Sequence, residues 1–174
     1  MARAFIGVGS NMAPEENIRD GLRRIAECAR LVSISTFYRQ PAIDHPEDPD
    51  FYNGVIGIDT DLPPTILKWQ VLRPIEAALG RRRTRDKYSP RTIDLDLLLY
   101  DDCVLTSNDL VIPDPDILKR AFITIPLCEI APNLILPASA LSIRQLAEHF
   151  ENHNMEPQYE YTRDLRRNLL DANR

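Results

Sequence analysis

Nine residues, Thr92-Ile93-Asp94-Leu95-Asp96-Leu97-Leu98-Leu99-Tyr100, constrain the fold of this chain more than any others. Apolar and acidic side chains alternate with a period of two, the repeat of a β-strand, before the run becomes wholly apolar. Such a strand puts Ile93, Leu95 and Leu97 on a core face. Asp94 and Asp96 then share the opposite face, their Cα atoms about 6.5–7 Å apart. A strand of this kind needs a sheet beside it and a layer of helices over its apolar face.

The rest of the chain supplies both. Ala4 to Val8 reads as a strand breaking into a turn at Gly7-Val8-Gly9-Ser10-Asn11. Pro14, Glu15 and Glu16 suit a helix start, and Ile18, Leu22, Ile25, Ala26 and Ala29 recur at helical spacing, which predicts an amphipathic helix over 14–29. Leu31 to Arg39 and Phe51 to Asp59 are rich in β-branched and aromatic residues and predict strands. Between them, the prolines and acids of residues 40–50 describe a loop. Pro63 and Pro64 open a second helix that Pro74 should kink or deprive of one hydrogen bond and that Gly80 should cap. The order β-α-β-β-α-β predicts an α+β fold with a ferredoxin-like core: a mostly antiparallel sheet with helices on its faces. The predicted organisation is a single domain over 1–150, followed by a charged C-terminal extension, 151–174, which Leu165, Leu169 and Leu170 mark as a surface helix or docking segment.

Two carboxylates on one strand face repel each other unless a positive charge lies between them. A hard divalent cation serves, because magnesium accepts one or two carboxylates together with phosphate oxygens. A bare pair of acids two residues apart is also what a solvent-facing strand carries by accident. The neighbouring sequence favours the first reading. Residues 81–91 hold Arg81, Arg82, Arg83, Arg85, Lys87 and Arg91 against Asp86, a local charge of +5 in a chain of net charge −5. Guanidinium groups bind phosphate through paired hydrogen bonds. A basic island on an acidic chain suits a small polyanion and argues against nucleic acid or an anionic membrane as partner. The segment has no phosphate-binding glycine loop of the GxxxxGK[ST] type, and the glycines at 7 and 9 read as a tight turn without a phosphate role. Cys28, Cys103 and Cys128 form no spaced framework, which points to small core residues, reduced thiols and a cytoplasmic location. Met1 to Ser10 has neither the basic start nor the cleavage site of a secretory signal. His149 and His153 have the spacing of a helical metal pair but no third ligand in view.

Several stretches together resemble the 6-hydroxymethyl-7,8-dihydropterin pyrophosphokinase (HPPK) family of folate biosynthesis. They are IGVGSN at 6–11, the segment ending YRQP at Pro41, FYNGV at 51–55, LGRRR…SPRTIDLDLLLY at 79–100 and IPDPDILKRAFITIPLCEIAP at 112–132. The resemblance implies an enzyme that moves a diphosphate from ATP to a pterin alcohol with two magnesium ions, held by Asp94 and Asp96. It implies a pterin stacked between Phe51 and Phe122, hydrogen-bonded by Asn53 and lined by Gln40, Pro41 and Ile43. It gives Arg81 and Arg91 a catalytic role on the phosphates, and places Glu76, Arg83, Lys87, Tyr88, Leu97, Asp114 and Arg120 around ATP. A monomer or weak homodimer is the expected assembly.

The pattern is broken at two places. Pro113-Asp114-Pro115 stands where the family usually has a histidine between or after prolines, and an ionised Asp cannot donate to a phosphate. Lys87 and Tyr88 stand where relatives often have Arg and Trp. Asp114 favours an alternative expectation, a non-catalytic or weakly active relative that binds pterin or nucleotide. A transferase with a different acceptor alcohol is a third, opposed by Phe51, Asn53 and Phe122.

Overall fold

The computed structural model describes residues 1–43, 46–82 and 90–171. Strand β1 (Ala2–Ser10) lies at the centre of the sheet. It pairs antiparallel along its full length with β4 (Phe51–Thr60), and on its other side with β5 (Asp94–Tyr100). The far edge of β4 carries β2 (Arg30–Ile34) and β3 (Tyr38–Gln40), and the short β8 (Glu156–Pro157) follows β3. With β2 and β3 taken as halves of one strand, the spatial order is fourth, first, third, second. This is the arrangement of the predicted ferredoxin-like core, and the pairs of this sheet are all antiparallel among the described residues.

The single strand expected over 31–39 is interrupted, for a physical reason. Residues 36 and 37 find partners outside the ladder. The Thr36 N–H donates to Glu129 Oε2 at 2.8 Å and the Phe37 N–H to Thr162 Oγ1 at 2.9 Å. These partners lie far along the chain, so no local pattern announces the break.

One face of the sheet is covered by α1 (Pro14–Ala26), which ends earlier than expected, and by a helix over 64–78. That helix has three parts: α2 (Pro64–Ile66), a π-helical run (Leu67–Leu72) and α3 (Arg73–Ala78). Pro74 does not break it. The Arg73 N–H reaches Lys68 O across a wide π turn, and Pro74 then falls in the first turn of α3, where its missing N–H costs least. Ile6, Val8, Leu22, Ile25, Ile56, Leu72, Ile93, Leu95 and Leu97 meet here in the main core. Helix α6 (Tyr159–Leu169) joins the same layer: Tyr161, Leu165 and Leu169 are buried in this core, and the Tyr161 hydroxyl donates to Glu15 O at 3.0 Å. Cys28, expected in the core, is exposed.

A two-stranded ribbon, β6 (Leu105–Thr106) and β7 (Val111–Ile112), leads into a 3-10 turn at Pro115–Leu118 and then α4 (Ala121–Ile130). With α5 (Ile143–Glu148), α4 covers part of the second face, over Phe5, Val55, Leu98 and Leu99. The rest of that face is open.

Candidate functional site

The open part of the second face exists because β1 has no side chains there. Cross-strand partners share a face, and register pairs Asp94 with Gly9 and Asn53, and Asp96 with Gly7 and Val55. The central strand is therefore bare between the acids on one side and Asn53 on the other. A Cβ at Gly9 would lie 2.7 Å from Asn53 Oδ1, so glycine is needed for close approach. These glycines sit inside a strand, which corrects the expectation of a turn.

Above them lies a cavity of about 450 Å³. Its walls hold Gln40, Ile43, Phe51, Asn53 and Phe122 together with Arg91, Asp94, Asp96 and Arg120, nine of the residues singled out in the sequence. Ala42, Leu98, Asp116 and Ile123 also line it. Pro41 is exposed and does not line it; buried Ala42 does instead. Leu97 is 2 % exposed in the main core, on the face opposite the acids, and its side chain does not line the cavity. Arg83, Lys87 and Tyr88 lie outside the described residues. The histidine pair does not form: α5 stops at Glu148, and the His153 ring packs edge-on against Tyr38 at 5.9 Å.

The arginines reach the acids through two local devices. After α3 the chain leaves in a Schellman turn. Gly80, at φ 84°, donates its N–H to Ala77 O, and Arg81 donates its N–H to Glu76 O, both at 3.0 Å. This delivers the Arg81 guanidinium to both Glu76 Oε1, at 2.8 Å, and Asp94 Oδ1. Arg91 is held by the residues at the end of β1 and just after it. Asn11 Oδ1 accepts the Arg91 N–H at 2.7 Å, the Asn11 N–H donates to Arg91 O at 3.1 Å, and Ser10 Oγ donates to Thr92 O at 2.6 Å. The Arg91 guanidinium bonds Asp94 Oδ2. Ser10 and Asn11 are fully or almost fully buried, and their role was not visible in the motif.

β5 is an edge strand, and its exposed backbone is satisfied by side chains of the helix over 64–78. Glu76 Oε1 accepts the Leu95 N–H at 2.8 Å, and the Lys68 ammonium donates to Leu95 O at 2.9 Å. Glu76 is 2 % exposed and also binds Arg73 at 2.7 Å, so it is a buried hub rather than a surface ion pair. Burial pushes its carboxyl above the ordinary range, against the pull of the Leu95 N–H and Arg81. Lys68 is 4 % exposed, and also bonds Asp96 Oδ1 at 3.2 Å. A lysine in an amphipathic helix reads as surface, and only the tertiary fold shows otherwise.

The two strand carboxylates are electrostatically unlike. Burial raises Asp94, but Arg81 and Arg91 outweigh it and hold its carboxyl below the usual range. Burial and the charge of Asp94 raise Asp96, with Lys68 pulling the other way. Asp114 does not line the cavity. Its Oδ1 accepts the Asp116 N–H at 2.8 Å and caps the 3-10 turn, and burial pushes its carboxyl up to about 6. Among the described residues no cluster of three or more metal-binding side chains occurs. Two carboxylates at i and i+2 beside a cationic wall are an incomplete donor set. That set suits magnesium, which takes its remaining ligands from water and substrate phosphate.

Fold and site together define a class: an α+β protein whose sheet carries a cleft walled by carboxylates, arginines, two aromatic rings and an amide. Comparisons with known proteins narrow it. The profile of the family described as 7,8-dihydro-6-hydroxymethylpterin-pyrophosphokinase (HPPK) matches residues 5–132. The chain is 37% identical over 158 residues to the 2-amino-4-hydroxy-6-hydroxymethyldihydropteridine pyrophosphokinase of Haemophilus influenzae, covering 89% of this chain and 97% of the relative. It is 39% identical over 155 residues to the protein of the same name from Synechocystis, covering 85% and 76%. Crystal structures of Plasmodium falciparum HPPK-DHPS, wild type with pteroate and wild type alone, superpose with TM-scores of 0.68 and 0.65 at 12% and 12% identity. Each superposition takes in 86% of this chain but only 42% and 44% of the longer one, so it speaks for the fold alone. The chain belongs to the HPPK family.

Proposed function

We propose that this chain transfers a diphosphate group from ATP to the hydroxymethyl group of 6-hydroxymethyl-7,8-dihydropterin, giving AMP and the pterin diphosphate. The observation that carries the reading is one cavity lined by Phe51, Asn53 and Phe122 together with Asp94, Asp96, Arg91 and Arg120. Two aromatic rings and an amide suit a flat heterocycle with a hydrogen-bonding edge. Two carboxylates and arginines suit a metal-bound triphosphate.

In this reading Phe51 and Phe122 hold the ring and Asn53 orients its amide edge, with Gln40 and Ile43 closing the pocket. Asp94 and Asp96 would hold magnesium, two ions in the full proposal, which offsets phosphate charge and polarises the phosphoryl group undergoing transfer. Arg91 and Arg120 meet the phosphates from the cavity wall, and Arg81, anchored by Glu76, supports Asp94 from behind. The pterin hydroxyl oxygen forms a bond to the β-phosphorus as the bridge to the α-phosphate breaks. AMP leaves and the hydroxyl proton passes to solvent. The described wall offers carboxylates and arginines rather than a histidine base, which fits a reaction governed by positioning and charge. Asp114, used internally as a cap, does not face the cavity as a bare anion, and this weakens the case for a non-catalytic relative. The proposal includes a cytoplasmic location and a monomer or weak homodimer. No helix among the described residues is long and apolar enough to cross a membrane.

The test is to mix the protein with ATP, magnesium and the pterin alcohol and separate the products by chromatography. AMP and pterin diphosphate in equal amounts are expected. Pterin binding without AMP would overturn the reading in favour of a non-catalytic relative.

A further inference from the structure

The carboxylates of the site are bonded by the chain's own cations. Asp94 Oδ1 is bonded by Arg81 and Asp94 Oδ2 by Arg91. Asp96 Oδ1 is bonded by Lys68 at 3.2 Å. Among the described residues, only Asp96 Oδ2 of these four oxygens carries no such bond. Lys68, Arg73, Arg81, Arg91 and Arg120 thus stand against Glu76, Asp94, Asp96, Asp114 and Asp116, five cations to five carboxylates among the described residues. A free divalent ion would meet no surplus of negative charge. A triphosphate brings that surplus, and gives the arginines a better partner than Asp94.

Lys68 differs from the arginines in how it is held. Arg91 is 27% exposed on the cavity wall and can swing to a phosphate. The Lys68 side chain is 5% exposed and anchored to the Leu95 carbonyl at 2.9 Å, so it stays beside Asp96 whatever binds. We propose that Lys68 is a fixed internal cation that screens Asp96 from free divalent metal, so that metal enters the site only together with the nucleotide. Lys68 is then a positioning and gating residue, acting through Asp96 rather than touching substrate. This rests on the assignment of Asp94 and Asp96 as metal ligands made above, but requires no turnover.

The test is a titration of manganese, a magnesium substitute, into the full-length protein without nucleotide, with free ion followed by electron paramagnetic resonance. Wild type is expected to bind weakly, and to bind at least about tenfold more tightly once a non-hydrolysable ATP analogue is added. Lys68→Met removes a unit charge next to a dication, and is expected to tighten nucleotide-free binding by at least about tenfold even with the screening of water. Lys68→Arg keeps the charge and should stay weak. Lys68→Gln, neutral but still able to donate to Leu95 O, keeps the test standing if the Met variant does not fold. A residue that merely supports the fold would weaken metal binding when replaced, the opposite sign. Tight manganese binding by nucleotide-free wild type, or no tightening in either neutral variant, would overturn the gating role. Failure of the diphosphotransfer assay with these metal results intact would overturn the assigned reaction alone.

Discussion

Asp114→Asn changes one oxygen for an amide at the position where the family pattern is broken. The wild-type carboxyl is raised from 3.8 to about 6, mainly by burial and then by the charges of Asp96 and Asp116, against the pull of the Asp116 N–H. Asn keeps an oxygen to accept the Asp116 N–H, so the cap survives. A folded-state value above the unfolded one means that the folded protein binds more protons between those two pH values. Asp114 therefore supports folding fully below pH ~4, and that support is lost as pH rises through about 6. The shift from 3.8 to about 6 corresponds to roughly 3 kcal/mol at full size. Because Asp114 is partly exposed, about 1.5–3 kcal/mol is the expected range. The assay is urea denaturation of both proteins from pH 4 to 8. The variant should match wild type near pH 4 and exceed it by that amount at pH 7.5, with unchanged denaturant slope. Equal stability at pH 7.5, or a variant that is weaker there, would refute the burial argument.

Other consequences are as direct. Gly9→Ala places a methyl 2.7 Å from Asn53 Oδ1, and should cost about 1–3 kcal/mol of stability. It should also weaken pterin binding, read by fluorescence titration, far more than ATP binding. Glu76→Ala leaves the Leu95 N–H, Arg73 and Arg81 without their shared buried acceptor and should lower stability by about 3 kcal/mol in urea; a loss under about 0.5 kcal/mol, typical of a surface change, would contradict the hub. Leu165→Ala should cost about 2–5 kcal/mol if the residues after 150 belong to the core, and almost nothing if they are an appendage.

The strand that opened the sequence reading is where inference from pattern worked best. Period-two alternation placed Asp94 and Asp96 on one face without further help. The aromatic and amide residues, Phe51, Asn53 and Phe122, came from the family resemblance, because an aromatic next to a strand end looks the same whether it packs a core or a ligand. What remained hidden depends on contacts between distant segments. Glu129 and Thr162 interrupt β2 and β3 from 93 and 125 residues away. Gly7 and Gly9 look like turn residues until Asn53 on the next strand shows why a Cβ is excluded. Lys68 and Glu76 are ordinary helix residues in sequence. They are buried because β5 is an edge strand whose N–H and C=O groups need partners.

The account depends most on the strand carboxylates as the metal-binding centre of diphosphate transfer, and Asp96→Asn tests it most directly. The amide keeps the shape of the side chain and an acceptor for Lys68, so melting should show an intact fold. Loss of a metal ligand should remove several kcal/mol of transition-state stabilisation, lowering AMP formation by about a thousandfold or more. A folded Asp96→Asn variant that forms AMP and pterin diphosphate at the wild-type rate would contradict it.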